Sequence, residues 1–310
     1  MHPPATIHTL QGKRYRWLNV PHPRETELQS LAATFHLHPT DLKDCLPPIQ
    51  RPKLIHREKY IFAIFVFPLL NNYSGEIEQH EVDFFIGKDF VITIGSEQCI
   101  ELKNFFEIIE LKPELKSDLL ARPANFVAQL IDELLDSCFP LLLQISTDID
   151  ALRASVLHGF SKATVHEILR IKNNIVGFRK AMQPHKSILD RILKILPQLL
   201  TLTKKELPAF ERLIDHTKEI WGHLEIYQSA IDAVEDTHAT LLSFRLNTSM
   251  KTLTVFSIVI LSLHLFTNLL IIPTRSQPLI GFPGDFWIIL AFIISATLGA
   301  IHLFKWRKWL

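Results

Sequence analysis

Two apolar runs near the C-terminus constrain this chain more than any other feature. Leu253 to Ile272 reads LTVFSIVILSLHLFTNLLII and Phe286 to Phe304 reads FWIILAFIISATLGAIHLF, and neither contains Asp, Glu, Lys or Arg. At about 1.5 Å per residue, a helix of roughly 20 residues crosses a hydrocarbon core ~30 Å thick. Soluble helices of that length normally carry a charged face, and these runs have none. The expectation is a membrane protein with spans over 253–272 and 286–304, joined by an extracytoplasmic loop over 273–285.

Flanking charge sets the orientation. Arg245 and Lys251 precede or open the first span, and Lys305, Arg307 and Lys308 follow the second in KWRKWL. The loop between them holds only Arg275 and Asp285. Lys and Arg are retained on the cytosolic side, so both termini are expected there, in a multi-pass protein of the cell (inner) membrane. Trp287, Trp306 and Trp309 fall where an interfacial aromatic belt forms. The net charge of +1 implies no pull towards nucleic acid. Cys45, Cys99 and Cys138 are too scattered for a disulfide framework or a cysteine zinc site. The first residues, MHPPATIHTLQGKRYRW, lack the apolar core of a secretory signal.

The remainder reads as an α+β cytosolic domain, a mixed sheet with flanking helices, over 1–122, followed by a helical region over 123–206. KRYRWLNV and KYIFAIFVFPLL are strand-like, and EVDFFIGKDFVITIG reads as a hairpin turning at Gly87-Lys88-Asp89. RETELQSLAATFHLHPTDLKD has helical spacing through Leu28, Leu31 and Phe35, with Pro39 as its stop. After Arg122-Pro123 a 3.6-residue period runs to Leu157, interrupted only at Pro140. Two further helices follow, KATVHEILRIKNNIVGFRKAMQ and HKSILDRILKILPQLL. From Pro208 no proline occurs before Pro273, so one stalk helix over 207–272 is expected to run into the first span; 305–310 forms a basic cytosolic tail.

No P-loop, dinucleotide fingerprint, G-x-S-x-G or H-E-x-x-H is present, so neither an enzyme nor a catalytic cofactor is expected. His36 and His38 flank Leu37 at a helix end and read as structural. His216, Glu219 and His223 share a helical face; that set reads as a solvated surface, with a weak metal site as the alternative.

The stalk helix carries a more informative stripe. Steps of seven from Asp215 give Gly222, Ser229, Asp236, Ser243, Met250, Ser257 and His264. Steps from Glu219 give Ile226, Ala233, Thr240, Asn247, Thr254, Leu261 and Asn268. A coiled-coil seam would hold large apolar residues at these positions. Small and polar ones dominate instead, and they continue into the membrane, where polar groups must face protein or water. Close helix packing through small residues is one explanation. His264 and Asn268, one turn apart, fit a water-lined axis better. Two spans cannot enclose such an axis, so a symmetric oligomer follows.

These features together resemble the CorA family of magnesium and divalent-cation channels, over nearly the whole chain. QRPK at 50–53 looks like an N-domain motif of that family. Asn247, Met250, Lys251, Leu253 and Thr254 match its N-x-x-M-K-x-L-T sequence at the membrane boundary, and RKWL is similar to its basic tail. The resemblance implies a homopentamer within membrane lipid, moving Mg2+, with Co2+ or Ni2+ as lesser cargo, passively; Zn2+ joins the candidate ions only through His264, an imidazole that suits softer metals. It implies pore-facing positions at Asn247, Met250, Thr254 and Leu261, and an axial acid at Asp236; the stripe adds Ser257, His264 and Asn268.

Two departures stand out. The family signature Gly-Met-Asn at the pore mouth is replaced, by ungapped counting, with Ile271-Ile272-Pro273, and Arg275 stands where an acid is usual. Asn268, one turn inside, would then supply the amide ring, with His264 favouring softer metals. The competing expectation is a non-conducting CorA-like scaffold or sensor. The second departure is Arg212, at the position of a regulatory metal-binding aspartate in the family. It implies weakened closure by Mg2+.

Overall fold

The computed structural model describes residues 7–12, 15–21, 23–71, 73–96, 99–158, 162–203, 206–272, 281 and 283–307. Contacts divide the chain into two compact units, Met1–Val234 and Glu235–Leu310.

The first unit opens with strands β1 (His8–Gln11) and β2 (Arg16–Pro21), helices α1 (Glu25–Phe35) and α2 (Pro39–Asp44), and strands β3 (Lys53–His56), β4 (Tyr60–Asn71), β5 (Glu76–Gly87) and β6 (Phe90–Gly95). Helices α3 (Ile100–Leu111), α4 (Pro113–Leu119), α5 (Pro123–Asp136), α6 (Cys138–His158), α7 (Lys162–Met182) and α8 (His185–Leu199) follow. The strands form one sheet in the order β1-β2-β6-β5-β4-β3, with β2 and β6 parallel and the other pairs antiparallel. Helices cover both faces, which is why Tyr60 to Phe67 is a continuous apolar run rather than an alternating one. Leu18, Val20, Tyr60, Phe62, Ile64, Phe85 and Ile92 pack against Leu28, Leu31 and Phe35 of α1 and Leu42 of α2. On the opposite face Trp17 lies among Phe105, Phe106 and Phe126, and its indole N–H donates to Thr93 Oγ1 at 2.9 Å. The hairpin between β5 and β6 turns as expected. Gly87 is required there, because a Cβ at that position would meet the Phe90 ring at 2.5 Å.

Two helix boundaries differ from the sequence reading, and proline explains both. Pro39 starts α2 rather than stopping a helix: α1 ends at Phe35 with His36 in the left-handed region (φ 56°), and His38 caps α2 by accepting from Thr40 N–H. Pro140 lies inside the first turn of α6, where its missing N–H costs little. The break comes at Ser137 instead, because the ring of Pro140 would clash with the carbonyl of Asp136, four residues earlier, in a continuous helix.

Helix α9 (Glu206–Ile271) is a single helix of 66 residues, and its start is pinned by an ion pair. Arg122 Nε lies 2.5 Å from Glu206 Oε1, and Thr203 donates to Oε2 from both N–H and hydroxyl. Desolvation pushes the Glu206 carboxyl up, but Arg122 and Thr203 outweigh it and hold it below the usual range. Arg122→Ala is expected to cost about 2 kcal/mol, less than a fully buried pair because Arg122 is partly solvated. Since the folded-state value is depressed, this contribution is fully present above the ordinary carboxylate range and fades as pH falls through it. Thermal melts of wild type and variant at pH 7 and at acidic pH should therefore converge as pH drops.

The second unit comprises the remainder of α9 and helix α10 (Asp285–Trp306). Both helices are long and apolar enough to cross a membrane, with mean hydropathy 2.0 and 2.2 in their best windows. Only 6% and 0% of those windows are buried within the chain. Phe266 of α9 and Phe292 of α10 meet with ring centroids 4.8 Å apart. Apolar surface this continuous requires lipid or other protein to cover it.

Candidate ion path and metal-ligand cluster

Along α9 the residues Asn247, Met250, Thr254, Ser257, Leu261, His264, Asn268 and Ile271 follow one another by alternate steps of three and four, so they share one side of the helix. Asp236, three turns before Asn247, lies on the same side. All of them are exposed in the single chain, as is Ile272. Pro273 and Arg275 lie outside the described residues, as do Lys308 and Trp309 of the tail. Trp287 and Trp306 project from the ends of α10, 69% and 75% exposed.

The polar groups of the stripe divide into two kinds. Thr254 Oγ1 donates to Met250 O at 2.8 Å and Ser257 Oγ to Leu253 O at 2.9 Å, so these hydroxyls are satisfied within the helix. Asn247, His264 and Asn268 make no such bond to any described residue. Their side chains keep full capacity to bind water, an ion or another chain.

In the first unit, His216 is not grouped with Glu219 and His223. It faces α5: His216 Nδ1 lies 3.1 Å from Asp132 Oδ1 and 3.8 Å from Asp136 Oδ1. The ligand-capable atoms of the three residues all fall within 4.8 Å of one another. His223 instead packs against Tyr227 at 5.9 Å. The sequence signal for this cluster was the Asp132–Asp136 spacing, which places both carboxylates on one helix face; the approach of α5 to α9 had no local signature. Partial desolvation and the Asp132 charge hold the Asp136 carboxyl above its usual range, against the opposing charges of His216 and Arg212. Arg212 is exposed and forms no ion pair with a described residue.

The CorA-like Mg2+ transporter protein family matches residues 12–306. The chain belongs to that family. CorA-family proteins are membrane transporters of divalent cations rather than enzymes. The cobalt/magnesium transport protein CorA of Thermotoga maritima is 25% identical over 297 residues, covering 95% of this chain and 83% of that one. The complete structure of the CorA magnesium transporter from Methanocaldococcus jannaschii superposes with a TM-score of 0.84 at 19% identity, covering 96% of this chain and 92% of that one. The full-length CmaX protein superposes with a TM-score of 0.73 at 17% identity, covering 95% and 89%. The mixed sheet, the long helix and the two apolar C-terminal helices are thus the CorA fold, as the sequence resemblance implied.

Proposed function

We propose that this chain moves a divalent cation, Mg2+ first and Co2+, Ni2+ or Zn2+ as further cargo, passively through a homopentameric pore lined by the polar side of α9. The observation that carries this reading is the unbroken stripe from Asp236 to Asn268, which ends in amide and imidazole groups with no partner among the described residues. Five copies around one axis would place those groups in rings facing water, the arrangement that polar side chains in a membrane require. Asn268 then supplies a ring of carbonyl oxygens suited to a hydrated hard cation, and His264 a ring that favours softer ones. Arg245, Lys251, Lys305 and Arg307 support a cytosolic location for both termini, in the cell membrane. They also support the division into a cytosolic α/β domain (1–122), a helical region (123–206), a stalk and first span (207–272), an outer loop (273–285), a second span (286–304) and a tail (305–310).

A second reading is favoured by Ile271 and Ile272, apolar and exposed at the place where the resemblance puts the Gly-Met-Asn signature. On that reading the protein is a non-conducting scaffold or sensor. Uptake into proteoliposomes under an inside-negative potential separates the two. Mg2+ uptake by a confirmed oligomer is the expected result; uptake of Co2+, Ni2+ and Zn2+ without Mg2+ would transfer selectivity to His264. Absence of uptake for all four ions would favour the scaffold.

A further inference from the structure

We propose that the cleft between β5 and the segment after α2, floored by Asp83 and Glu81, binds the head group of a primary alkylammonium ion. The cleft has a volume of about 350 Å³ and lies inside the first unit, apart from the stripe of the span. Asp83 and Glu81 are two residues apart on β5, so both point to the face where Cys45 and Phe85 pack with α1 and α2. Strand β6 ends at Gly95, opposite Val82, while β5 extends to Glu76 without it. That step in the sheet opens the cleft. Asp83 lies at its floor, 2% exposed, and Pro23, Pro47, Pro48, Ile49 and Ile94 form apolar walls.

The two acids divide their roles. Burial pushes the Asp83 carboxyl well above its usual range, and the charge of Glu81 adds to the rise. Burial raises Glu81 too, opposed by the backbone N–H that Gln50 donates to its Oε2. Asp83 is therefore the partner that keeps a proton and donates it to Glu81, so the pair carries about one negative charge. Asp83 Oδ1 is left as a carbonyl-type acceptor, shielded from solvent and without a hydrogen-bond partner among the described residues. The Cys45 thiol lies against Asp83 but donates to Asp41 O at 3.2 Å. Lys53, whose charge acts on Glu81, is held by Asp44 at 2.5 Å. An orphaned buried acceptor is costly, and this one lines a cleft rather than packed side chains. A primary ammonium matches what is left: one positive charge for the pair, N–H donors for Glu81 and for Oδ1, and methylenes for the proline walls. A dication fits less well, because Mg2+ would meet a single negative charge and press its retained waters against proline and isoleucine. The floor is narrow enough to shield Oδ1 from water, so a slim –NH3+ enters with a small side-chain shift and a trimethylammonium does not.

The test is equilibrium dialysis of full-length protein in detergent against radiolabelled n-butylamine at pH 7, where the amine is protonated. The expected result is one butylammonium bound per chain, displaced by unlabelled butylamine and not by n-butanol, tetramethylammonium or Mg2+. Glu81→Gln removes the charge at a half-buried side chain and should weaken binding at least about tenfold, which is the loss of roughly 1.4 kcal/mol. Asp83→Asn reproduces the protonated acid, with an N–H for Glu81 and an oxygen for the ligand, and should retain binding within about threefold. Asp83→Leu removes that oxygen and should weaken binding as Glu81→Gln does. Melting curves of each variant confirm that the chain compared is folded. The proposal is overturned if folded wild-type protein binds no butylamine, if Glu81→Gln leaves binding unchanged, or if n-butanol displaces the label. Displacement by Mg2+, or equal losses in Asp83→Asn and Glu81→Gln, would overturn it in favour of a metal ion held by two carboxylates. None of these readouts requires flux, so they stand or fall separately from the transport reading.

Discussion

Asn268→Leu is expected to cut divalent-cation uptake roughly 70-fold while leaving the oligomer assembled. Asn268 is exposed on the stripe of α9 and makes no bond to any described residue, so leucine removes no contact that holds the chain together. What it removes, on the pore reading, is an amide ring just inside the mouth. If each amide contributes only ~0.5 kcal/mol to the passing hydrated ion, five together lower the barrier by about 2.5 kcal/mol, and their loss slows passage roughly 70-fold. Uptake in proteoliposomes, with oligomer size measured on the same preparation, reads both quantities. Unchanged uptake in an assembled variant would remove Asn268 from the filter. Asn268→Asp is the informative companion: a carboxylate at that ring should retain cation passage and alter the order of preference among ions.

Trp17→Ala is expected to produce the largest loss of stability in the first unit. Trp17 is fully buried and touches three phenylalanine rings, Phe105 and Phe106 of α3 and Phe126 of α5, at centroid distances from 4.8 to 6.0 Å. Truncation leaves a cavity among rigid rings that cannot collapse, which costs about 3–5 kcal/mol. For a unit of this size each kcal/mol shifts the melting temperature by ~2–4 °C, so a fall of about 10 °C is expected. Trp17→Phe separates packing from hydrogen bonding. It keeps a ring in the slot and loses only the indole donor to Thr93, whose hydroxyl still donates to Asn19 Oδ1 at 3.0 Å, so it should cost no more than about half as much. Thermal melts of the full chain in detergent measure both variants. Equal losses would show that the hydrogen bond, rather than the ring, dominates at this position.

Much of the architecture was legible because its signals are local. The charge-free runs, the continuous strand run of β4, the hairpin at Gly87 and the proline-free stretch of α9 each announce themselves within a short window. The failures came where the deciding interaction was not local. β1 and β3 have only four residues each and take their identity from the neighbours they pair with. The parallel pairing of β2 with β6 joins segments far apart in sequence and has no turn signature. In sequence Pro39 reads as a stop and Pro140 as an interruption, but proline's effect depends on its position in the helix, and both fall in a first turn where it is tolerated. The candidate site divided in the same way. The stripe of α9 is a periodic pattern on one helix, whereas the partners of His216 lie on another element, so its neighbours along α9 were a poor guide to what it faces.

The hydroxyls of α9 carry a consequence for how the protein is made. Thr254, Ser257 and Thr267 each donate to a carbonyl of their own helix, as Thr297 does in α10, so a newly synthesised chain brings these groups into lipid already satisfied. His264 and Asn268 have no such outlet among the described residues. On the pore reading, a solitary copy in the bilayer would carry a penalty concentrated in about one turn of helix, relieved when copies gather and admit water between them. On that reading the imidazole of His264, which Asn268→Leu leaves in place, favours assembly as well as meeting a passing ion, so biogenesis and assembly would be coupled through the span itself.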